Sequence, residues 1–406
     1  MFEPNEIAKL CFEKYSSLKK TGKPCDNEWT VLSAVLVRNG EGTADVVSLS
    51  TGTKCLGHLE LKNTEIWEKG TRLSDSHAEV LARRAFLRYL YDQLEMLISC
   101  QQSNIFLLNA NRKIKVKPHV SFHFFSSHTP CGDCSILPKY ENVTNNPLTK
   151  RRKTDISTNE INSMDRDKTV PVESVIFHDL HRTGAKCIAT KEKQDLYRPG
   201  INYHVVGPLR TKPGRGNPTL SLSCSDKMAK WNVIGVQGSL LSNFIPSIYF
   251  ETVTIGGGCP FSLEAMERGI HKRFGEDTKG PKITQATLSF EHRKGLRRMQ
   301  PCSTSIIWCA TKEQQLEVAV EGRKHGTTKK KRGRGLCVSR KELLKTFIKL
   351  AEKYPSFSKY PTHPKKLTYF HFKQWNYSYQ YMWKELRSNL FPTWPFKSLD
   401  LLDFTL

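Results

Sequence analysis

Three short segments carry side chains able to do metal chemistry. His77-Ala78-Glu79 sets an imidazole and a carboxylate within one helical turn, and Pro130-Cys131-Gly132-Asp133-Cys134 sets two thiols in a CxxC spacing. Ser223-Cys224-Ser225-Asp226-Lys227 holds one more thiol among polar residues in an otherwise apolar, buried-looking stretch. A catalytic zinc takes three protein ligands from His and Cys and keeps its fourth position for water. The metal lowers that water's pKa toward about 7, so a nucleophile exists at neutral pH. Glu79 lies close enough to His77 to reach such a water without ligating the metal, and can move its proton to a leaving amine.

The order H-x-E followed by P-C-x-x-C is the signature of zinc deaminases of nucleobases. Each half alone is weak, because an isolated helical His is most often a surface or core residue and a lone CxxC is more often structural. Their order, separation and strand–helix settings together point to hydrolytic deamination; the rival is a structural zinc site with Glu79 as an ordinary helix residue. Spacing selects Cys134 as the third ligand beside His77 and Cys131. Cys224 is the alternative.

The elements that must position these residues follow from periodicity. Residues 28–56 read as a strand, a turn at Asn39-Gly40 and a second strand ending at Gly52. Residues 75–98 read as a helix buried on most sides, with apolar positions at Val80, Leu81, Phe86, Leu87, Leu90, Leu94 and Leu97 and with Asp75 or Ser76 as N-cap. Residues 119–127 alternate as a strand, and Pro130 opens a second helix whose N-terminal dipole would favour the Cys131 thiolate. Further buried strands are expected at 173–179, 232–238 and 247–255. The polar stretch 138–172, bounded by Pro138 and Pro171, reads as a mobile insertion. Residues 340–390 are helical in pattern and rich in aromatics. Strands and helices in this order predict an α/β fold layered on a central sheet. No internal repeat or domain-sized linker interrupts it, so a single domain over 1–406 is expected.

The chain has 406 residues, of which 38% are hydrophobic, enough for a sizeable core. No run of about 18 apolar residues exists, so no membrane helix is expected. The start, MFEPNEIAKL, lacks a secretory pattern. An intracellular protein of the nucleus, the cytoplasm or both is therefore expected, and its 12 cysteines read as thiols or metal ligands. A net charge of +24, from 63 Lys and Arg against 39 Asp and Glu, calls for an anionic partner, with nucleic acid first. Residues 281–340 hold 14 Lys and Arg against 4 Asp and Glu, and 323–334 reads as a basic loop. Lys150-Arg151-Arg152-Lys153 fits a nuclear localisation signal or an exposed basic loop.

STGTKC (50–55), DSHAEVLARR (75–84), PCGDC (130–134), LHRTGAKC (180–187), GPLRTKPGRG (207–216) and SCSDKMAKWNVIGVQGSLLS (223–242) together resemble the adenosine deaminases acting on RNA, and among them those that modify tRNA. The likeness covers nearly the whole chain. It implies a cytidine deaminase-like three-layer α/β/α sandwich with a mixed central sheet and a C-terminal helical region. It implies deamination of adenosine to inosine, at adenosine 37 of tRNA-Ala beside the anticodon. No double-stranded RNA-binding module is expected, because the first motif strand starts near residue 29. The resemblance overrides spacing at the metal: it implies His77, Cys131 and Cys224 as zinc ligands, Glu79 as proton shuttle and Cys134 as a packing thiol.

The same resemblance implies a buried inositol hexakisphosphate held by Arg83, Arg84, Lys227, Lys230, Tyr369, Lys373, Tyr379, Trp394 and Lys397. Arg83 and Arg84 lie on a helix that looks buried all round, and buried guanidinium groups need partners. Tyr369, Lys373 and Tyr379-Gln380 keep the family spacing, whereas Trp383 stands where duplex editors carry a lysine. Asp75 and Lys212 are implied to link this polyanion to the zinc site. Thr53 and Lys54 match positions that contact the RNA backbone. Arg215, between Gly214 and Gly216, replaces a Glu that fills the gap left by a flipped base in duplex editors. That departure suits a base already unpaired, as in an anticodon loop, where extrusion costs little. The alternatives are an editor of other structured or duplex RNA and a catalytically inactive zinc-structured RNA-binding protein. A monomer or weak associate with no obligate protein partner is expected.

Overall fold

The computed structural model describes residues 3–40, 42, 44–139, 179–190, 193–213, 218–275, 278–328, 335–353, 367–396 and 398–406. Eight strands form one sheet: β1 (Leu32–Asn39), β2 (Ala44–Thr51), β3 (Val120–Ser126), β4 (Thr252–Gly257), β5 (Lys282–Ser289), β6 (Thr304–Cys309), β7 (Leu316–Val320) and β8 (Arg323–Lys324). Their order is β5-β4-β3-β1-β2-β6-β7-β8. Strands β3, β4 and β5 run parallel, while β1 is antiparallel to β2 and β3 and β6 is antiparallel to β2 and β7. The sheet is therefore mixed.

Side-chain alternation sends the strands' apolar residues to two separate cores. Leu32, Ala34, Leu36, Phe125, Ile306 and Trp308 meet helix α1 (Pro4–Ser17), which starts with a proline in its first turn. Val35, Val37, Phe124 and Ile307 face the other way, onto helix α2 (Ala78–Ile98). Helices thus cover both faces of the sheet. Ser48 and Ser50 on β2 donate to the α2 carbonyls of Ala82 and Ala78 at 3.0 and 2.7 Å, which fixes where that helix begins over the sheet. Beyond it stand α3 (Cys224–Ile234), α4 (Leu263–Ile270) and the C-terminal helices α5 (Arg340–Lys353), α6 (Tyr369–Gln374) and α7 (Tyr377–Asn389). Among the described residues no helix is long and apolar enough to cross a membrane.

Several local expectations differ from the structure. Residues 232–238 are not a strand. Asn232–Ile234 end α3, capped at its start by Ser223, whose Oγ accepts from the Asp226 N–H at 3.1 Å. Gly235, at φ 82°, stops the helix before a second short helix over Gly238–Leu241. Pro130 opens no α-helix; a single 3-10 turn at Asp133–Ser135 follows. The residue that begins a helix is instead Cys224. The N-cap of α2 is His77, because Asp75–His77 is paired as a strand with Thr53–Cys55. The strand expected at 247–255 starts only at Thr252. Arg323 and Lys324 are an edge strand rather than part of a basic loop, and both charges are taken up, by Glu68 and Glu317. The remainder of that run at 329–334, the nuclear-signal candidate at 150–153, the expected strand at 173–178 and the bulk of the expected insertion, 140–172, lie outside the described residues.

Candidate active site

The short ladder between Thr53–Cys55 and Asp75–His77 builds one wall. Thr53 is opposite His77, Lys54 opposite Ser76 and Cys55 opposite Asp75. Gly52 precedes it at φ 143°, and a Cβ there would fall 2.0 Å from the Ser76 carbonyl oxygen. Glycine is what allows the two segments to touch. The residues expected to contact RNA, Thr53 and Lys54, are thereby set beside His77. Thr53 Oγ1 is buried with no partner among the described residues.

Asp75 organises the wall from behind. Its Oδ1 accepts the His77 backbone N–H at 3.0 Å and lies 3.0 Å from His77 Nδ1. This leaves Nε2 as the ring nitrogen open to a metal. Its Oδ2 accepts from Lys212 Nζ at 2.8 Å, from Ser221 Oγ at 3.0 Å and from Lys227 Nζ. Burial alone would raise the Asp75 carboxyl, but Lys212, Lys227 and His77 outweigh it and hold it well below the usual carboxylate range. Lys212 is buried too; burial opposes its charge, yet Asp75 and the nearby thiols keep it firmly protonated.

The opposite wall joins Cys131 to Cys224. Gly132, at φ 103°, turns the chain tightly against Ser223, where a Cβ would fall 2.3 Å from Ser223 Oγ. Ser225 clamps the turn: its N–H and Oγ donate to the Cys131 carbonyl at 3.0 and 2.9 Å, and its Oγ accepts from the Cys134 N–H at 3.1 Å. The Cys224 N–H points to Cys131 Sγ at 3.4 Å, from the positive end of α3. A hydrogen bond from the Cys224 thiol, with further help from Lys212 and His77, draws the Cys131 thiol below its ordinary value against burial. Burial and that same bond push Cys224 up. Glu79, buried in the first turn of α2, is close enough to act electrostatically on Cys131, Cys224 and Lys212.

Cys134 sits elsewhere. It is fully buried in the core, its thiol pushed up to about 12 by burial, with Sγ against Met266 and Gly269 of α4. A Cβ on Gly269 would come within 2.4 Å of that sulfur.

Among the described residues no group of three His, Cys, Asp or Glu side chains stands as a ready-made metal cluster. The donor chemistry nonetheless fits zinc: one imidazole held through Nδ1, two adjoining thiols with one already inclined to the thiolate, and a carboxylate beside them.

On the far side of Asp75 lies a cavity of about 250 Å³. Arg83, Arg84, Lys227, Lys230, Tyr369, Lys373, Tyr379 and Trp394, all expected at a polyphosphate site, line it together. Arg72, Ser221 and Arg340 join them, and sequence reasoning missed these three, which belong to no motif it used. Lys397 and Arg215 lie outside the described residues. Arg83 Nε and Arg84 Nη2 are buried with no partner among the described residues. Burial, reinforced for Lys373 and Arg84 by neighbouring cations, lowers Arg83, Lys373 and Arg340 and brings Arg84 to about 10. Lys230 is pulled down further, by burial and then by Lys373, Arg83 and Arg387. Trp383, where a lysine was expected by likeness to duplex editors, lies 3.3 Å from Lys230 Nζ measured to the ring centroid. An aromatic face thus substitutes there for a cation. So many buried cations fit one multiply charged anion and little else.

Residues 48–398 match the family described as the adenosine-deaminase (editase) domain. The chain is similar to tRNA-specific adenosine deaminase 1 of Homo sapiens, at 34% identity over 97% of this chain and 98% of that protein. It is similar to the Drosophila melanogaster protein of the same name at 36% identity, covering 98% and 96%. The Drosophila double-stranded RNA-specific editase Adar is 32% identical over 68% of this chain and 36% of its own length. The family match spans most of the chain and the relatives cover nearly all of it, and the chain belongs to the adenosine-deaminase (editase) family.

Proposed function

We propose that this protein hydrolyses the 6-amino group of adenosine in tRNA, giving inosine and ammonia, with adenosine 37 of tRNA-Ala as its target. The observation that carries the reading is the pairing of Asp75-oriented His77 with the Cys131–Cys224 thiol pair, and Glu79 in the first turn of α2 beside them. Similarity to relatives named tRNA-specific over nearly the whole length supports tRNA over duplex RNA.

His77, Cys131 and Cys224 would hold zinc, and Glu79 is the only group assigned to proton movement. A zinc ion bound there supplies a Lewis acid that brings a water's pKa down toward about 7. Asp75 keeps His77 in one tautomer and one orientation. Lys212 and the α3 N-terminus stabilise thiolate charge at Cys131 and Cys224. Glu79 takes the attacking water's proton and passes it to the purine N1, then carries the proton of the new C6 hydroxyl to the amine, which departs as ammonia and leaves the 6-oxo group of inosine. Cys134, turned into the core, is left as a packing residue. Arg83, Arg84, Lys227, Lys230, Arg340 and Lys373 would hold inositol hexakisphosphate, with Tyr369, Tyr379 and Trp394 completing its walls. Lys227 and Ser221 touch both that cavity and Asp75, so the anion would brace the side chain that orients His77.

The test is direct. The purified protein is incubated with a total tRNA pool, and A-to-I changes are mapped by sequencing. Conversion at position 37 of tRNA-Ala is expected; conversion confined to long duplex RNA added alongside would contradict the reading.

A further inference from the structure

The LHRTGAKC segment has no role in the chemistry above, yet it and the residues after it lie against the site. Gly132, next to Cys131, donates its N–H to Thr183 Oγ1 at 3.0 Å, and the Gly207 N–H bonds Asp133 Oδ1 at 2.8 Å. Between these anchors the surface is unusual. Tyr197 is 54% exposed, although its backbone sits at φ 54°, a left-handed conformation that non-glycine residues rarely take. Its ring meets Tyr203 edge to face at 5.4 Å, and Tyr203 meets buried His204 at 4.8 Å. The Arg182 guanidinium lies 3.9 Å above the Tyr203 ring.

This patch is held rigidly from beneath. Buried Arg210 grips Asp195, two residues before Tyr197, with both terminal nitrogens at 2.5 and 2.7 Å. The backbone of Arg210 is tied to the start of α3 through Asp226 Oδ2 at 3.0 Å and the Ser223 N–H at 2.8 Å. Asp195 is thereby neutralised, and Lys139 pairs with Asp179. Among the described residues of 180–200 the exposed charges are positive, Arg182, Lys186, Lys193 and Arg198, with Arg182 also 3.9 Å from Asp179. An exposed aromatic ring and a stacked guanidinium among cations match unpaired nucleobases on a phosphate backbone. Leu196, Ile201 and Val206 are exposed beside Tyr197, but the excess of one sign around them favours RNA over a protein partner, whose interface core would be depleted of charge.

We infer that Tyr197, backed by Tyr203 and Arg182, is a stacking platform for an unpaired base of the RNA substrate, flanking the adenosine that enters the active site. The inference rests on the tRNA reading above. Its role is positioning: the ring takes a neighbouring loop base, and Arg182 meets the adjoining phosphate.

The test measures binding without turnover. Fluorescence anisotropy with a 5′-labelled tRNA-Ala transcript compares the full chain with Tyr197→Ala, Tyr197→Phe and Arg182→Ala. Loss of one stacked base predicts a Kd about tenfold higher for Tyr197→Ala, with Tyr197→Phe restoring it. Arg182→Ala should lower the slope of log Kd against log salt by about one, while Tyr197→Ala leaves that slope unchanged. With a fully paired RNA duplex of equal length, Tyr197→Ala should bind as the parent does. Parent-like tRNA affinity in Tyr197→Ala would overturn the platform, and so would an equal loss on duplex RNA. A parent protein that binds tRNA but leaves its adenosines intact would refute the deaminase reading and leave the platform standing.

Discussion

Lys227 and Asp75 touch through Nζ and Oδ2 at the edge of the arginine-rich cavity, which both residues line. From there Asp75 orients His77. The carboxylate also takes Lys212 and Ser221, so four polar groups converge on one buried aspartate. The cation-lined cavity and the orientation of His77 are linked through this single side chain.

Replacing Asp75 by Asn therefore has two consequences. His77 loses the partner that fixes its ring, which costs roughly 10- to 100-fold in metal affinity. Lys212 and Lys227 lose their buried counter-ion, and stability falls by about 3 kcal/mol or more. Zinc titration with a competing chelator, together with thermal unfolding, checks both. Parent-like zinc affinity would remove Asp75 from the account of the site.

The two candidate third ligands separate cleanly. Cys224→Ser should purify with little zinc and no activity. Cys134→Ala should keep its zinc and its activity while losing stability, because a fully buried thiol leaves a small void against α4. Metal content by mass spectrometry, alongside melting temperature, distinguishes them. Zinc lost from Cys134→Ala and retained in Cys224→Ser would reverse the assignment.

The cation cavity predicts a passenger. Purified protein, denatured to release bound small molecules, should yield about one equivalent of a highly phosphorylated anion, as a single buried site requires. The double variant Arg84→Ala, Lys373→Ala should release much less and unfold at a lower temperature. Parent protein free of phosphorylated anions would contradict the reading of the cavity.

Much of this was legible in the residues. The strands over 32–39, 44–51 and 120–126 follow from alternation between two cores, and α2 from its long apolar face. Of the nine residues that the family resemblance implied for a polyphosphate, eight line one cavity, and Lys397 lies outside the described residues. Local spacing misled at two places. The PCxxC spacing favoured Cys134, but the Gly132 turn, locked on Ser223 and Ser225, carries Cys131 toward Cys224 while Cys134 passes into the core. The apolar run at 232–238 read as a strand because its first three residues, Asn232–Ile234, are the end of a helical period that begins at Cys224. Arg340 was invisible for a different reason: its place in the cavity is set by a contact made across more than 250 residues of chain, between α5 and α2.

The central claim is that Glu79 moves protons for hydrolysis of adenosine in tRNA. Single-turnover deamination of tRNA-Ala by the parent and by Glu79→Gln, each with its zinc content measured, tests it most directly. Unchanged zinc and a rate lower by about 10²- to 10⁴-fold are expected in the variant. A zinc-loaded Glu79→Gln that converts adenosine 37 within about tenfold of the parent rate would contradict it.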